Sequence, residues 1–311
     1  EALLVDCGLC RSQVMQGGSF LRSQAVIVAQ AAARPLFGVA DAQASLDTSS
    51  QLVSGGLGGL GLLTARLLLE GGARQVVLSS RSDRVAAGSE EDWAWVAACG
   101  GDVTRIRSDV SEASAVRSVI QHLRGAGMCL SGVFHAAHQL ADAALDGQGA
   151  LNFRAAYGPK VHGAIALHAT CTVAPLRFFN VYSSVAGLLG SPGQAPHSAA
   201  NTWLDTMTLW RRRVGQVSQS VSWGAVSEIG YAARHGADRR AEASGLGAIS
   251  RSRALEALRA TLLQGCRSFA VLPAEWSKLL AGRGEALGLT VPYFHLRADP
   301  PSRRRRPELQ P

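Results

Sequence analysis

Ser54-Gly55-Gly56-Leu57-Gly58-Gly59-Leu60-Gly61 is the stretch whose reading decides the fold. It follows the apolar run Gln51-Leu52-Val53 and opens into Leu62-Leu63-Thr64-Ala65-Arg66-Leu67-Leu68-Leu69. That order predicts a strand, a glycine turn and a helix. Glycines let the backbone take positive φ and let a pyrophosphate approach bare N–H groups. The positive end of the helix dipole then faces the phosphate. A glycine string alone is an ordinary loop, but here strand and helix flank it, and the stretch predicts dinucleotide binding.

Downstream the pattern repeats. Gly71-Gly72 stops the helix, and Gln75-Val76-Val77-Leu78-Ser79 is a nearly all-apolar strand of the kind buried in a parallel sheet. Further strands are predicted at 103–106, 130–137, 178–184, 219–224 and 268–272, and helices at 90–99, 113–123, 150–170, 199–213 and 253–263. This alternation predicts an α/β fold, a Rossmann-like doubly wound parallel sheet with its ligand at the carboxyl ends of the strands. Residues 1–50 are poorly patterned, with one buried strand at 25–29 and a short element near 35–39, and read as an accessory layer. The division is 1–50 as a truncated structural subdomain or linker, 51–281 as the cofactor-binding domain, and 282–311 as a basic linker.

Composition narrows the function class. Of 311 residues, 47% are hydrophobic and 17% charged, enough apolar material for a full core. No apolar run approaches the length of a membrane span, and no basic-then-apolar leader follows Glu1. The start without Met suggests a piece of a longer polypeptide. The net charge of +8 is carried by Arg, much of it in Arg303-Arg304-Arg305-Arg306, with Lys only at Lys160 and Lys278. No aromatic-interleaved reader motif accompanies it, so neither nucleic acid nor membrane is expected as a partner. Cys7-Gly8-Leu9-Cys10 is a lone pair of thiols without a second pair for zinc, so no metal is expected. The six scattered cysteines read as free thiols of a reducing, cytoplasmic setting.

The second strand ends in Ser80-Arg81-Ser82, where NAD-binding sheets often carry an acid for the ribose hydroxyl. A guanidinium there suits a 2′-phosphate, which favours NADPH over NADH; the alternative is an exposed surface arginine. Asp109, after the third strand, either accepts a hydrogen bond from the adenine amino group or caps the next helix.

These stretches, with Asp109-Val110, His135-Ala136-Ala137, Ser183-Ser184-Val185-Ala186-Gly187, Gly190-Ser191-Pro192-Gly193-Gln194-Ala195 and Trp223-Gly224, together resemble the ketoreductase domain of type I modular polyketide and fatty-acid synthases. That domain is a branch of the short-chain dehydrogenase/reductase superfamily, and the match runs from about 50 to about 280. The resemblance implies NADPH-dependent reduction of a β-ketoacyl thioester, carried on an acyl carrier protein, to the β-hydroxyacyl form, among neighbouring synthase domains. It also implies that the cofactor lies on the stretches from Ser54 to Gly61, Ser80 to Ser82, Asp109-Val110 and His135 to Ala137. Carried over residue by residue, Lys160 holds the nicotinamide ribose, Ser184 donates to the ketone oxygen, and Asn201 orders a relay water.

Two positions depart from the family. Its general acid is a Tyr four residues before the Asn, and this chain has His197 there. The four tyrosines are 157, 182, 231 and 293, and Tyr157-Gly158-Pro159-Lys160 is one residue short of a Tyr-x-x-x-Lys pair. His138 stands where the family has Gly beside the cofactor. Imidazolium is a competent acid near neutrality, but a neighbouring Lys160 disfavours it. The expectation is a catalytic set of Lys160, Ser184, His197 and Asn201 with impaired or lost reduction. The alternative is a redox-inactive structural or epimerase-type domain that still binds NADPH. Leu140-Ala141-Asp142 keeps one Asp of the Leu-Asp-Asp loop that marks one stereochemical type, or is a solvated loop. Residues 230–247, with Tyr231, read as a substrate lid or a disordered loop.

Overall fold

Strand β3, Ser50–Ser54, is buried at every position and lies in the interior of the sheet. The structure, a computed structural model, describes residues 12–15, 25–29, 49–227, 245–264 and 268–274. The glycine turn leads from β3 into α1, Gly59–Glu70, and then β4, Gln75–Ser80. There follow α2, Glu90–Ala98, β5, Asp102–Arg107, α3, Ala113–Gly125, and β6, Leu130–His135. Two helices, α4 at Ala150–Tyr157 and α5 at Gly163–Cys171, precede β7, Phe178–Ser184. The short α6, Ala186–Leu189, and long α7, Ala195–Arg213, lead to β8, Gln219–Trp223. Helix α8, Arg251–Gln264, and β9, Ser268–Val271, complete the alternation.

Seven strands pair in the order β5-β4-β3-β6-β7-β8-β9, and every pairing is parallel. The chain runs outward from β3 through β4 to β5, then returns to β6 on the other side. This reversal opens a crevice at the carboxyl ends of β3 and β6, the usual ligand position in doubly wound sheets. The inner strands are apolar because helices cover both faces: Leu52, Val77, Val133 and Val181 are buried against one layer, and Val53, Val76, Leu78 and Phe134 against the other. Edge strand β5 is largely exposed and carries Asp102, Arg105 and Arg107, charges that discourage pairing with another chain.

A second, antiparallel sheet joins β1, Ser12–Met15, and β2, Ala25–Ala29, to β10, Pro273–Ala274. The expected strand at 25–29 is therefore present and pairs with β1 and with β10. The expected element near 35–39, the lid at 230–244 with Tyr231, and the arginine tail lie outside the described residues.

Two expected helices differ. The single helix over 150–170 is two, separated by a π-helical turn at Gly158–His162. Pro159 has no N–H, and its ring crowds the carbonyl four residues back; a wider turn relieves both. The helix expected to begin at 199 begins at Ala195, because Pro196 is tolerated in a first turn, where its missing N–H is not needed.

Candidate functional site

The glycine turn and the carboxyl ends of β3, β4, β6, β7 and β8 border one cleft of about 790 Å³. At its phosphate end Gly55 has φ of +71°, a conformation that side chains rarely adopt. A Cβ at Gly55 would lie 2.6 Å from the Ala137 nitrogen, and one at Gly56 would lie 2.8 Å from the Val53 carbonyl oxygen. The turn thus needs glycine to pass between β4 and β6. Gly56 N–H donates to the Ser79 carbonyl at 3.0 Å, and Gly58 N–H to the Gly55 carbonyl at 3.0 Å. The next amides open α1, whose first-turn N–H groups have no partner within the helix.

Arg81 and Arg84 both line the cleft beyond β4. Arg81 Nη1 donates to Gln139 Oε1 at 3.1 Å, and its carbonyl accepts from Arg107 Nε at 3.3 Å. The loop bearing them is held by an Asp83–Arg105 ion pair at 2.8 Å and by Ala86 N–H donating to the Leu57 carbonyl. Ser80, Ser82, Asp109, Val110, Ala136 and Ala137 are brought to the same end, Ser82 among the exposed residues of its rim. Asp109 Oδ1 accepts from Ser111 N–H at 2.9 Å, so the carboxylate already closes the turn before α3 while it lines the cleft. The donor set fits a phosphorylated dinucleotide: bare amides and a helix start for the pyrophosphate, guanidiniums beyond β4 for a further phosphate.

His135 ties the two ends together. It is buried, with Nδ1 at 2.7 Å from Ser54 Oγ and Nε2 at 2.9 Å from the Lys160 carbonyl oxygen. A carbonyl only accepts, so Nε2 carries the proton and Nδ1 accepts from Ser54. Burial first pushes this imidazole down to about 4, so it is neutral. Its bond fixes the π-helical turn that carries Lys160. Lys160, 4% exposed, donates from Nζ to the Tyr182 carbonyl at 2.8 Å. Burial lowers its ammonium to about 7, against an upward pull from Asp205.

The reaction end collects Lys160, Ser184, His197 and His138, with Asn201 behind them. Ser184 Oγ accepts from Ala186 N–H at 3.2 Å, which leaves its own O–H to donate into the cleft. Asn201 is wholly buried and donates from Nδ2 to the His197 carbonyl at 2.8 Å, holding the first turn of α7. His197 Nδ1 and Asn201 Oδ1 are both buried without a hydrogen-bond partner. Burial, then the charges of Lys160 and His138, push the His197 imidazole down to about 2. At pH 7 the ring is therefore neutral. His138 lines the cleft from an exposed position after β6. Asp142 accepts from Gln194 Nε2 at 2.9 Å, joining the loop after β6 to the start of α7.

Neither described tyrosine replaces the missing phenol. Tyr182 borders the cleft, but its hydroxyl lies buried 2.6 Å from Thr64 Oγ1, and burial raises it well above the usual phenol range. Tyr157 packs against Phe153 with ring centroids 6.1 Å apart. Sequence reasoning missed Arg84, and it quoted Gln194 only within a family stretch, without the contact to Asp142.

A family model described as KR domain matches residues 49–228, more than half of the chain. A Mycocerosic acid synthase-like polyketide synthase of Mycobacterium tuberculosis is 39% identical over 183 residues, covering 59% of this chain and 9% of that protein. A phthioceranic/hydroxyphthioceranic acid synthase of Mycobacterium bovis is 36% identical over 189 residues, covering 61% and 9%. Among solved structures, A-type ketoreductases from a modular polyketide synthase superpose with a TM-score of 0.73 at 30% identity, covering 82% of this chain and 54% of that one. The first ketoreductase of the tylosin polyketide synthase gives 0.68 at 28% identity, covering 83% and 55%. The chain thus spans about a tenth of these curated relatives and about half of the structures it resembles.

Proposed function

This chain belongs to the KR-domain family, the ketoreductase domains of polyketide synthases, and from that membership we propose that it binds NADPH and is a lapsed or very slow β-ketoacyl reductase. Domains of this family take a nicotinamide cofactor. The fit of the phosphate end supports retention of binding, and Arg81 with Arg84 supports the phosphorylated form. The observation that carries loss of reduction is the half-buried His197 in the acid's place, its Nδ1 without a hydrogen-bond partner and its imidazole held neutral by burial and by the charges of Lys160 and His138.

When bound, reduced nicotinamide supplies a hydride to the ketone carbon of a β-ketoacyl thioester presented by an acyl carrier protein. The chain's own groups must hold the cofactor and meet the charge that develops on oxygen. Lys160 would hold the nicotinamide ribose. Ser184 would donate its O–H to the ketone oxygen. His197 can offer only the N–H of a neutral ring, which is a far weaker acid than an imidazolium or a phenol. A positioned general acid contributes about 10²–10⁴-fold, and that is the factor this site lacks. The same low basicity makes His197 a poor acceptor for an α-proton, so the epimerase-type alternative gains no support from it. Neighbouring synthase domains are the proposed setting, with residues 51–281 as the reductase unit. Among the described residues no helix is long and apolar enough to cross a membrane.

The test is a pair of measurements on the native chain between pH 5.5 and 9. NADPH fluorescence should saturate on titration, while NADPH oxidation with a β-ketoacyl thioester should stay near background. Robust turnover would overturn the lapsed-reductase reading, and absence of NADPH binding would overturn the cofactor reading and point to His138.

A further inference from the structure

Arg251 opens α8 and reaches across to the start of α2, far from it in sequence. Its Nη1 donates to Glu91 Oε2 at 2.7 Å, its Nε lies 3.6 Å from Asp92 Oδ2, and its Nη2 donates to the Gly88 carbonyl at 3.5 Å. Asp92 is 1% exposed, and neither of its carboxylate oxygens has a hydrogen-bond partner. A carboxylate so placed is costly without a cation beside it. Burial pushes the Asp92 carboxyl up, and the charges of Arg251, then Arg66, pull it down. What this clasp holds is the loop after β4. Arg84, Val85, Ala86 and Ala87 of that loop line the cleft, and Gly88 and Ser89 join them to α2. The loop is pinned near its start by the Asp83–Arg105 pair and in its middle by Ala86 N–H on the Leu57 carbonyl of the glycine turn. At its far end Gly88 takes φ of +81°, Ser89 N–H returns to the Ala86 carbonyl at 3.0 Å, and Arg251 grips Gly88, Glu91 and Asp92 together.

We propose that Arg251 is a positioning residue for the phosphate end of the cofactor: by clasping Gly88, Glu91 and Asp92 it fixes the loop that presents Arg84 to the ribose phosphate. Arg251 is not among the residues that line the cleft, so its removal takes no group from the ligand and acts only through the loop. Its side chain is 24% exposed, against 34% and 41% for the Arg105–Asp83 pair at the other end, so this pin is the less screened of the two. The role at the phosphate rests on the cofactor reading above, whereas the hold on the loop does not.

The test uses the full chain in two variants. Arg251→Met removes the clasp alone. Arg251→Met combined with Asp92→Asn removes both charges, so no buried carboxylate is left without its cation, and this variant decides if the first does not fold. NADPH, NADH and adenosine 2′,5′-bisphosphate, which carries the ribose phosphate without the nicotinamide, are titrated against each protein. The ratio of NADPH to NADH affinity should fall about threefold in both variants, and the bisphosphate should weaken by about the same factor. A purely structural role lowers the unfolding midpoint and leaves that ratio where it was, and an unchanged ratio overturns the proposal. The second arm is amide hydrogen exchange without nucleotide. Exchange at Ala86 and Ser89 should quicken about tenfold, while Gly56 N–H, held by the Ser79 carbonyl, keeps its protection. Exchange that is unchanged in the loop, or that quickens equally throughout the sheet, also overturns the proposal. If the native chain binds neither NADPH nor the bisphosphate, the cofactor reading fails, and the exchange still decides whether Arg251 holds the loop.

Discussion

At the phosphate end of the cleft the chain relies on backbone, and at the reaction end it relies on side chains. The glycine turn works through amides, positive φ at Gly55 and the start of a helix, and its geometry is enforced by β4 and β6 on either side. Little of that can be lost without disturbing the sheet itself. The reaction end depends on which group stands at the first turn of α7, and a change there from phenol to imidazole leaves the helix, its Asn201 anchor and Lys160 in place. On the proposed function, binding and proton delivery are therefore separable in this fold. One is a property of the scaffold, and the other is a property of single residues whose pKa is set by burial.

The comparison breaks most readily at Gly55. Gly55→Val would force a side chain into left-handed backbone and against the Ala136–Ala137 strand end, a strain of about 1–3 kcal/mol. NADPH affinity should fall on the order of a hundredfold by fluorescence titration. Retained affinity would mean that the turn does not hold the pyrophosphate. A smaller effect is expected from replacing Arg81 and Arg84 together with Ala. These guanidiniums are exposed and screened, so NADPH binding should weaken about tenfold while NADH binding stays unchanged. Equal loss for both nucleotides would reduce the pair to surface charge.

His135, which bridges the two ends, sharpens the comparison through stability. Unfolded, its imidazole takes a proton as pH falls through 6.5; folded, it resists until about 4. Its folded pKa is depressed, so the unfolded state binds more protons between these values. Stability should be full above pH 6.5 and decline by about 3 kcal/mol toward pH 4, read from urea unfolding midpoints. A flat profile would place His135 in water rather than between Ser54 and Lys160.

The strand–turn–helix unit at 51–69 was legible because its signals are local: an apolar run, glycines and a helical repeat. The order of the other strands followed from the same kind of pattern. What the residues alone did not reveal came from distance in space or from proline. Pro159 stood inside the helix predicted over 150–170, and the π-helical turn that it causes is also held by His135 donating to the Lys160 carbonyl from another strand. Pro196 moved the start of α7 forward and put His197 into a first turn. The exchange at His197 was visible in the sequence, but its protonation was not, since that depends on burial and on the charges of Lys160 and His138.

The most direct test of the account is NADPH oxidation by His197→Tyr with a β-ketoacyl thioester, beside the native chain at matched cofactor occupancy. A phenol restored among Ser184, Lys160 and Asn201 should raise the rate by about a hundredfold or more, with KM for the thioester little changed. A variant that binds NADPH as the native chain does and remains equally slow would contradict the claim that the acid alone is missing.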